Sequence, residues 1–173
     1  MSDTLVTIIA IALAAILMFI FPLMTMSDRT DDVSQLTVET ATTEFVDEIR
    51  KTGKITEEKY NQFSEAIGST GNTYNVEMEV KILDENPGKK TTQTDRDKIG
   101  ENVYYSVYTS QIEEKIYKEG IYKLKEGDIV SVSVKNTNQT LAQQLKNFFY
   151  SVVGNDTYTI AASHGGIVSA TAK

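Results

Sequence analysis

Residues 4–27, TLVTIIAIALAAILMFIFPLMTMS, form an uncharged run between Asp3 and Asp28. As a helix these 24 residues extend roughly 36 Å, against about 30 Å for a bilayer's hydrocarbon core. Twelve of them are Leu, Ile, Val or Phe, which favours insertion by very roughly 4–7 kcal/mol with no charge opposing it. The run therefore predicts one transmembrane helix at 4–27. A cleaved signal peptide would need a basic start, a shorter apolar stretch and a small-x-small exit. The chain instead begins Met1-Ser2-Asp3 and leaves the run through Met24-Thr25-Met26.

Orientation is weakly encoded. Arg29 lies among Asp28, Asp31 and Asp32, and the next basic residues are Arg50 and Lys51. An extracytoplasmic soluble domain and a single-pass location in the cell membrane are expected, because so little basic charge holds either end back. Beyond the run, 17 basic face 23 acidic side chains, a formal charge of −6 that repels phosphate backbones and argues against nucleic acid as a partner. The absence of cysteine excludes disulfides, thiolate metal sites and cysteine nucleophiles.

After the run, residues 28–52 predict a membrane-proximal helix stopped by Gly53 in a left-handed cap. Val38, Ala41, Phe45 and Ile49 fall on one core-facing stripe, whereas Val33 and Leu36 project to the opposite side. The helix therefore either breaks near Asp31 or uses a second apolar face against another chain. Thr56, Glu57 and Glu58 open a short helix with a Tyr60, Phe63, Ile67 stripe ending at Gly68. Tyr74, Val76, Met78, Val80 and Ile82 alternate with polar residues as a half-buried strand does.

Residues 84–100, DENPGKKTTQTDRDKIG, read as a long exposed loop. A strand over 103–108, a helix over 110–119 closed by Gly120, and strands at 122–125 and 128–135 around a Glu126-Gly127 hairpin turn follow. Asn138 or Thr140 can cap a helix carrying Leu141, Leu145, Phe148 and Phe149, and strand character returns from Tyr158 to Ala162 before His164-Gly165-Gly166. Together these predict an α+β fold: a long N-terminal transmembrane helix continuing into a small, mainly antiparallel sheet with packed short helices, residues 53–173 forming the soluble domain.

No constellation carries catalysis. His164 is the single histidine and is expected at a loop or strand end, without a nucleophile-elbow motif. Asp95-Arg96-Asp97-Lys98-Ile99-Gly100 lacks the later ligands of a calcium loop, placing Ser106 where the bidentate acid belongs. The pairs Glu57-Glu58 and Glu113-Glu114 are explained by favourable charge near helix starts. Tyr104, Tyr105 and Tyr108 fit strand packing, and the acceptor patterns at Asn138 and Asn155 are too short to carry weight. No cofactor, metal or enzymatic activity is expected.

The blocks FVDEIRKTGKITEEKYNQFSEAIGSTGNTYNVEMEV (45–80) and LKEGDIVSVSVKNTNQTLAQQL (124–145), with the Gly165-Gly166 turn, resemble single-span proteins of Gram-positive bacteria related to pilins and Tad-type minor pilins. The resemblance implies a hydrophobic helix that anchors the subunit and also packs against neighbours, while the rest of that helix supports an antiparallel sheet. It assigns to Asp3 and Pro22 the parts of the acidic residue and helix proline of such proteins, although Asp3 precedes the apolar run. No basic leader ending in glycine precedes the run, so prepilin processing and assembly into a major filament are not expected.

The function expected is that of a structural or assembly component of a Tad-like pilus, secretion or conjugation apparatus. Its partners would be the lipid bilayer and other subunits, a second copy included, met through Asp3, Pro22, Val33 and Leu36. The competing reading is a membrane-tethered module that binds a protein or cell-wall partner.

Overall fold

The computed structural model describes residues 2–84, 104–150 and 159–172. The chain begins as one helix, α1 (Ser2–Thr52), which passes through Asp31 without a break. Gly53, at φ 66°, ends it in the left-handed conformation expected of that glycine. Of the two readings of Val33 and Leu36, the interrupted helix is thus excluded.

After α1 come β1 (Lys54–Thr56), α2 (Glu57–Gly68), β2 (Tyr74–Leu83), β3 (Tyr104–Tyr108), α3 (Thr109–Glu119), β4 (Ile121–Lys123), β5 (Ile129–Asn136), α4 (Leu141–Tyr150) and β6 (Ala161–Ile167). The expected α+β arrangement of a long apolar helix, a small antiparallel sheet and short helices is present. The larger sheet has the order β3-β2-β5-β6, with every pairing antiparallel, and β1 pairs with β4 in a separate ribbon.

Alternation decides which face of the sheet is covered. Met78 and Val80 of β2 and Val130, Val132 and Val134 of β5 are buried, and they form one apolar cluster with Val38, Phe45, Val46 and Ile49 of α1. Burying each such side chain contributes about 1.5–3 kcal/mol. On the neighbouring side of α1, Phe45 stacks on Phe63 of α2 with ring centroids 4.5 Å apart. Thr56 caps α2 as its sequence suggests, its Oγ1 accepting from the Lys59 N–H at 3.3 Å.

Several expectations need correction. The Glu126-Gly127 turn forms, but its flanks do not pair as a hairpin: β4 joins β1, while β5 joins β2 and β6. The Leu124 N–H donates to the Gly53 carbonyl at 2.7 Å, holding that flank at the end of α1. His164-Gly165-Gly166 is not a turn after a strand ending at Ala162; β6 runs through it. A Cβ on Gly166 would lie 2.6 Å from Arg50 Nε, so glycine is set here by close approach of α1.

Gly68 is the last helical residue of α2, and Ser69 is its cap. Glu113 and Glu114 sit in the second turn of α3 and so are not explained by its start. Glu113 instead accepts the Tyr60 hydroxyl proton at 2.5 Å, and Glu114 pairs with Lys118, which holds its carboxyl below the usual range. Residues 85–100 of the expected loop, including the calcium-like segment, as well as Val103, Asn155 and Tyr158, lie outside the described residues.

Ile49→Ala empties a fully buried position and is expected to lower unfolding stability of the full-length chain by about 2–5 kcal/mol, whereas Val33→Ala should change it by less than about 0.5 kcal/mol. Denaturant titration in detergent measures both.

Burial, reinforced by Tyr105 and Asp128, pushes the Tyr122 phenol up to about 12, and burial with the Glu113 hydrogen bond raises Tyr60 further. A raised folded-state value contributes stability that is complete below the unfolded value near 10 and is lost as pH rises through the folded value. Stability should therefore fall as pH climbs from 10 to about 12, less steeply in Tyr122→Phe, as followed by phenolate absorbance and circular dichroism.

Candidate functional site

Helix α1 presents different chemistry on its two sides. The side toward the sheet is apolar near Thr52 and polar nearer the uncharged run, where Ser27, Asp31 and Ser34 are buried. An acid on this face is held by specific partners. Asp31, 6% exposed, accepts the Thr140 hydroxyl proton through Oδ2 at 2.6 Å.

Thr140, not Asn138, caps α4. Its Oγ1 accepts from the Gln143 N–H at 3.2 Å, and Gln143 Oε1 accepts from the Thr140 N–H at 3.1 Å. Asn138 accepts instead from the Thr73 N–H at 2.9 Å. A few residues away Lys146 Nζ of α4 meets Asp28 Oδ1 at 2.6 Å. Gln35 completes this polar contact by donating to the Ala161 carbonyl at 2.7 Å and accepting from its N–H at 3.0 Å, as a neighbouring strand would. Sequence reading missed Gln35, Asp31 and Lys146 because their partners lie about a hundred residues away; only the cap pattern at Thr140 gave a local signal.

The opposite side of α1 carries the residues proposed for association. Val33 and Leu36 are 65% and 64% exposed and occupy neighbouring positions on one face. Pro22 lies inside the continuous helix, and Asp3 lies in its first turn. The Thr25 hydroxyl donates to the Phe21 carbonyl at 3.1 Å, so it does not replace the bond Pro22 withholds from residue 18. The four positions share a helix without forming one compact site: Asp3 lies roughly 45 Å along the axis from Val33, and Pro22 roughly 16 Å.

A seam nevertheless joins most of them. Phe19, Pro22, Met26, Arg29, Val33 and Leu36 recur by alternate steps of three and four, which keeps them on one narrow stripe. All six are exposed. The stripe therefore runs out of the uncharged segment into the charged one, interrupted by Arg29 alone.

His164 sits in mid-strand against α1, its Nε2 buried, without a hydrogen bond and 3.6 Å from Asp47 Oδ1. Arg50 Nη1 holds the same Asp47 oxygen at 2.9 Å, and Arg50 Nε donates to the Ile167 carbonyl at 3.1 Å. This knot locks β6 to α1. Ser163, the adjacent strand residue, points to the other face, so no nucleophile faces the imidazole from it. Among the described residues, no group of three or more His, Asp or Glu side chains is placed to hold a metal ion.

The sheet face away from α1 bears a groove of about 570 Å³ between Glu77, Glu79, Ser131 and Ser133 of the sheet and Tyr108 and Glu113 at α3. Tyr104, Tyr105 and Tyr108 on strand β3 lie across from Leu83, Ile82 and Glu79 of β2, as cross-strand packing expects, but they are exposed and stand outside the core.

Thr140→Val should leave Asp31 buried without its hydroxyl donor and α4 without its cap, costing about 1–3 kcal/mol. Hydrogen exchange should accelerate first at the amides of α4.

Compared with protein-family models, curated proteins and solved structures, the chain matches none.

Proposed function

We propose that α1 crosses a membrane over residues 4–27, that the sheet-bearing part lies on the extracytoplasmic side, and that the chain is a structural or assembly component associating laterally through α1. The observation that carries this reading is the exposed apolar stripe continuing from the uncharged run through Met26 to Val33 and Leu36. Within a bilayer such a stripe packs against another helix by close contact, and beyond it Val33 and Leu36 gain from leaving water. The resemblance to pilin-related single-span proteins supports the same class: a minor subunit or accessory protein of a Tad-like pilus, secretion or conjugation apparatus.

A second reading, a tethered module that binds a protein or cell-wall partner, draws on the groove of the outer sheet face and the exposed tyrosines of β3. Aromatic and hydroxyl side chains on an uncovered sheet suit such recognition.

Single-cysteine variants at Val33 and Leu36 give a clean probe, because the chain has no cysteine of its own. Oxidation in intact cells should yield a disulfide-linked dimer, and protease added outside should remove the sheet-bearing part. Leu36→Asp should weaken recovery of the associated form about tenfold or more, roughly 1.4 kcal/mol. Adducts with other proteins alone would favour the tethered module, and protection from protease would overturn the extracytoplasmic placement.

A further inference from the structure

Helix α1 buries three hydroxyls, those of Ser27, Ser34 and Thr42. Ser34 and Thr42 each donate to the carbonyl four residues back, at 2.8 and 2.7 Å. Ser27, 6% exposed, makes no hydrogen bond among the described residues. Its side chain lines an open pocket of about 280 Å³ instead. A hydroxyl enclosed in this way, and unmatched by the protein, leaves a donor and acceptor positions for something else.

The pocket lies where α1 meets the turn between α2 and β2 and the segment leading into α4, with Asp31, Thr70, Asn72, Gln139 and Thr140 among its walls. Part of that wall is already bonded. Thr140 holds Asp31 Oδ2, Thr70 holds the Ile67 carbonyl and the Tyr74 hydroxyl, and Asn72 Oδ1 accepts from the Asn138 amide. Unpaired among the described residues are the Ser27 hydroxyl, Asp31 Oδ1, Asn72 Nδ2 and the Gln139 side chain.

This set mixes donors with acceptors and carries one negative charge, with no basic side chain in the wall. A phosphate would meet Asp31 without a counter-charge, and an ammonium, which only donates, would leave Asn72 Nδ2 without an acceptor. Neutral hydroxyls donate and accept at once and match the set. At about 30 Å³ per water the pocket has room for about nine waters, which a sugar ring with its hydroxyls fills and a lone ammonium does not. Depth points the same way. Measured along the helix from the middle of residues 4–27, Ser27 lies about 17 Å and Asp31 about 23 Å out, across a headgroup layer that extends from roughly 15 to 22 Å.

We propose that this pocket holds the hexose headgroup of a membrane glycolipid, its ring hydroxyls bonded to Ser27, Asp31 and Asn72. This rests on the spanning reading of α1 given above. A free sugar carries the same hydroxyls, but the position of the pocket beside the end of the uncharged run favours the lipid, whose acyl chains continue along that run.

The chain contains no tryptophan, so L141W at the pocket wall reports on its contents and L17W, in a separate variant, on the span. The full chain is reconstituted in phosphatidylcholine vesicles with increasing shares of mixed glucosyl and galactosyl diacylglycerol. Emission from L141W should change and saturate with the glycolipid, and should stay constant with equal shares of phosphatidylglycerol or phosphatidylethanolamine. In the L141W background, S27A should raise the half-saturating share several-fold while leaving the denaturation curve unchanged, because the hydroxyl bonds nothing in the protein. S27F, which fills the pocket, should abolish the response. A half-saturating share unmoved by S27A overturns the pocket as the site, and a response to either phospholipid in place of the glycolipid overturns the hexose. A response to methyl glucoside or methyl galactoside in the water, with none to the glycolipid, overturns the lipid source in favour of a free sugar. L17W should be quenched by lipid spin-labelled deep in its chains. That quenching without any response from L141W overturns the headgroup site and leaves the span intact, whereas its loss overturns the spanning reading and the headgroup site with it.

Discussion

Everything beyond the first seven turns of this protein depends on one contact: the valines of β5 against the Val38, Val46 and Ile49 face of α1. A four-stranded antiparallel sheet with one polar face cannot bury its other face alone. Helix α1 supplies the missing layer. The same contact fixes the polar bonds at its edges, since Gln35, Asp47 and Arg50 reach β6 only once the valines are in place. Polar groups buried beside an apolar seam add little net free energy when paired, but they are costly in any other register, so they select one seating of the helix.

This explains the uneven legibility of the sequence. Alternation in Tyr74–Ile82 and Ile129–Val134, the cap at Thr56 and the glycine stops at Gly53 and Gly120 are local signals, and each element they announce is present. Pairing is not local. The Glu126-Gly127 turn looks like a hairpin because hairpin chemistry is carried by the turn, yet Leu124 is drawn away by the Gly53 carbonyl. His164-Gly165-Gly166 looks like a turn because glycines usually mark one. Here they thin a strand so that Arg50 and the neighbouring strand can approach.

The candidate site shows the same division. The exposure of Val33 and Leu36 was legible because two apolar residues stood off the core stripe, a mismatch visible from periodicity alone. The polar residues on the buried side were not, because Asp28, Asp31 and Gln35 look like ordinary surface residues until α4 and β6 arrive from the other end of the chain. The exposure of the β3 tyrosines was hidden for a related reason: strand propensity does not say whether a strand lies at an edge.

The unbroken course of α1 links angle to residue count. One helix carries the outward stripe on one side and the sheet on the other, with no joint between Met26 and Val38. Each residue of that stretch sets the two apart by about 100° of rotation and 1.5 Å of rise. Whatever grips the uncharged run therefore also sets the compass bearing of the outer sheet face and its groove. Losing one residue near the end of the uncharged run, before the contacts that begin at Asp28, would turn that face by more than a quarter circle relative to the run while the bonds of Asp28, Asp31 and Gln35 stay in place. The stretch is a protractor as well as a stalk, and its length in residues is as much a determinant of what the sheet can face as the side chains on the sheet itself.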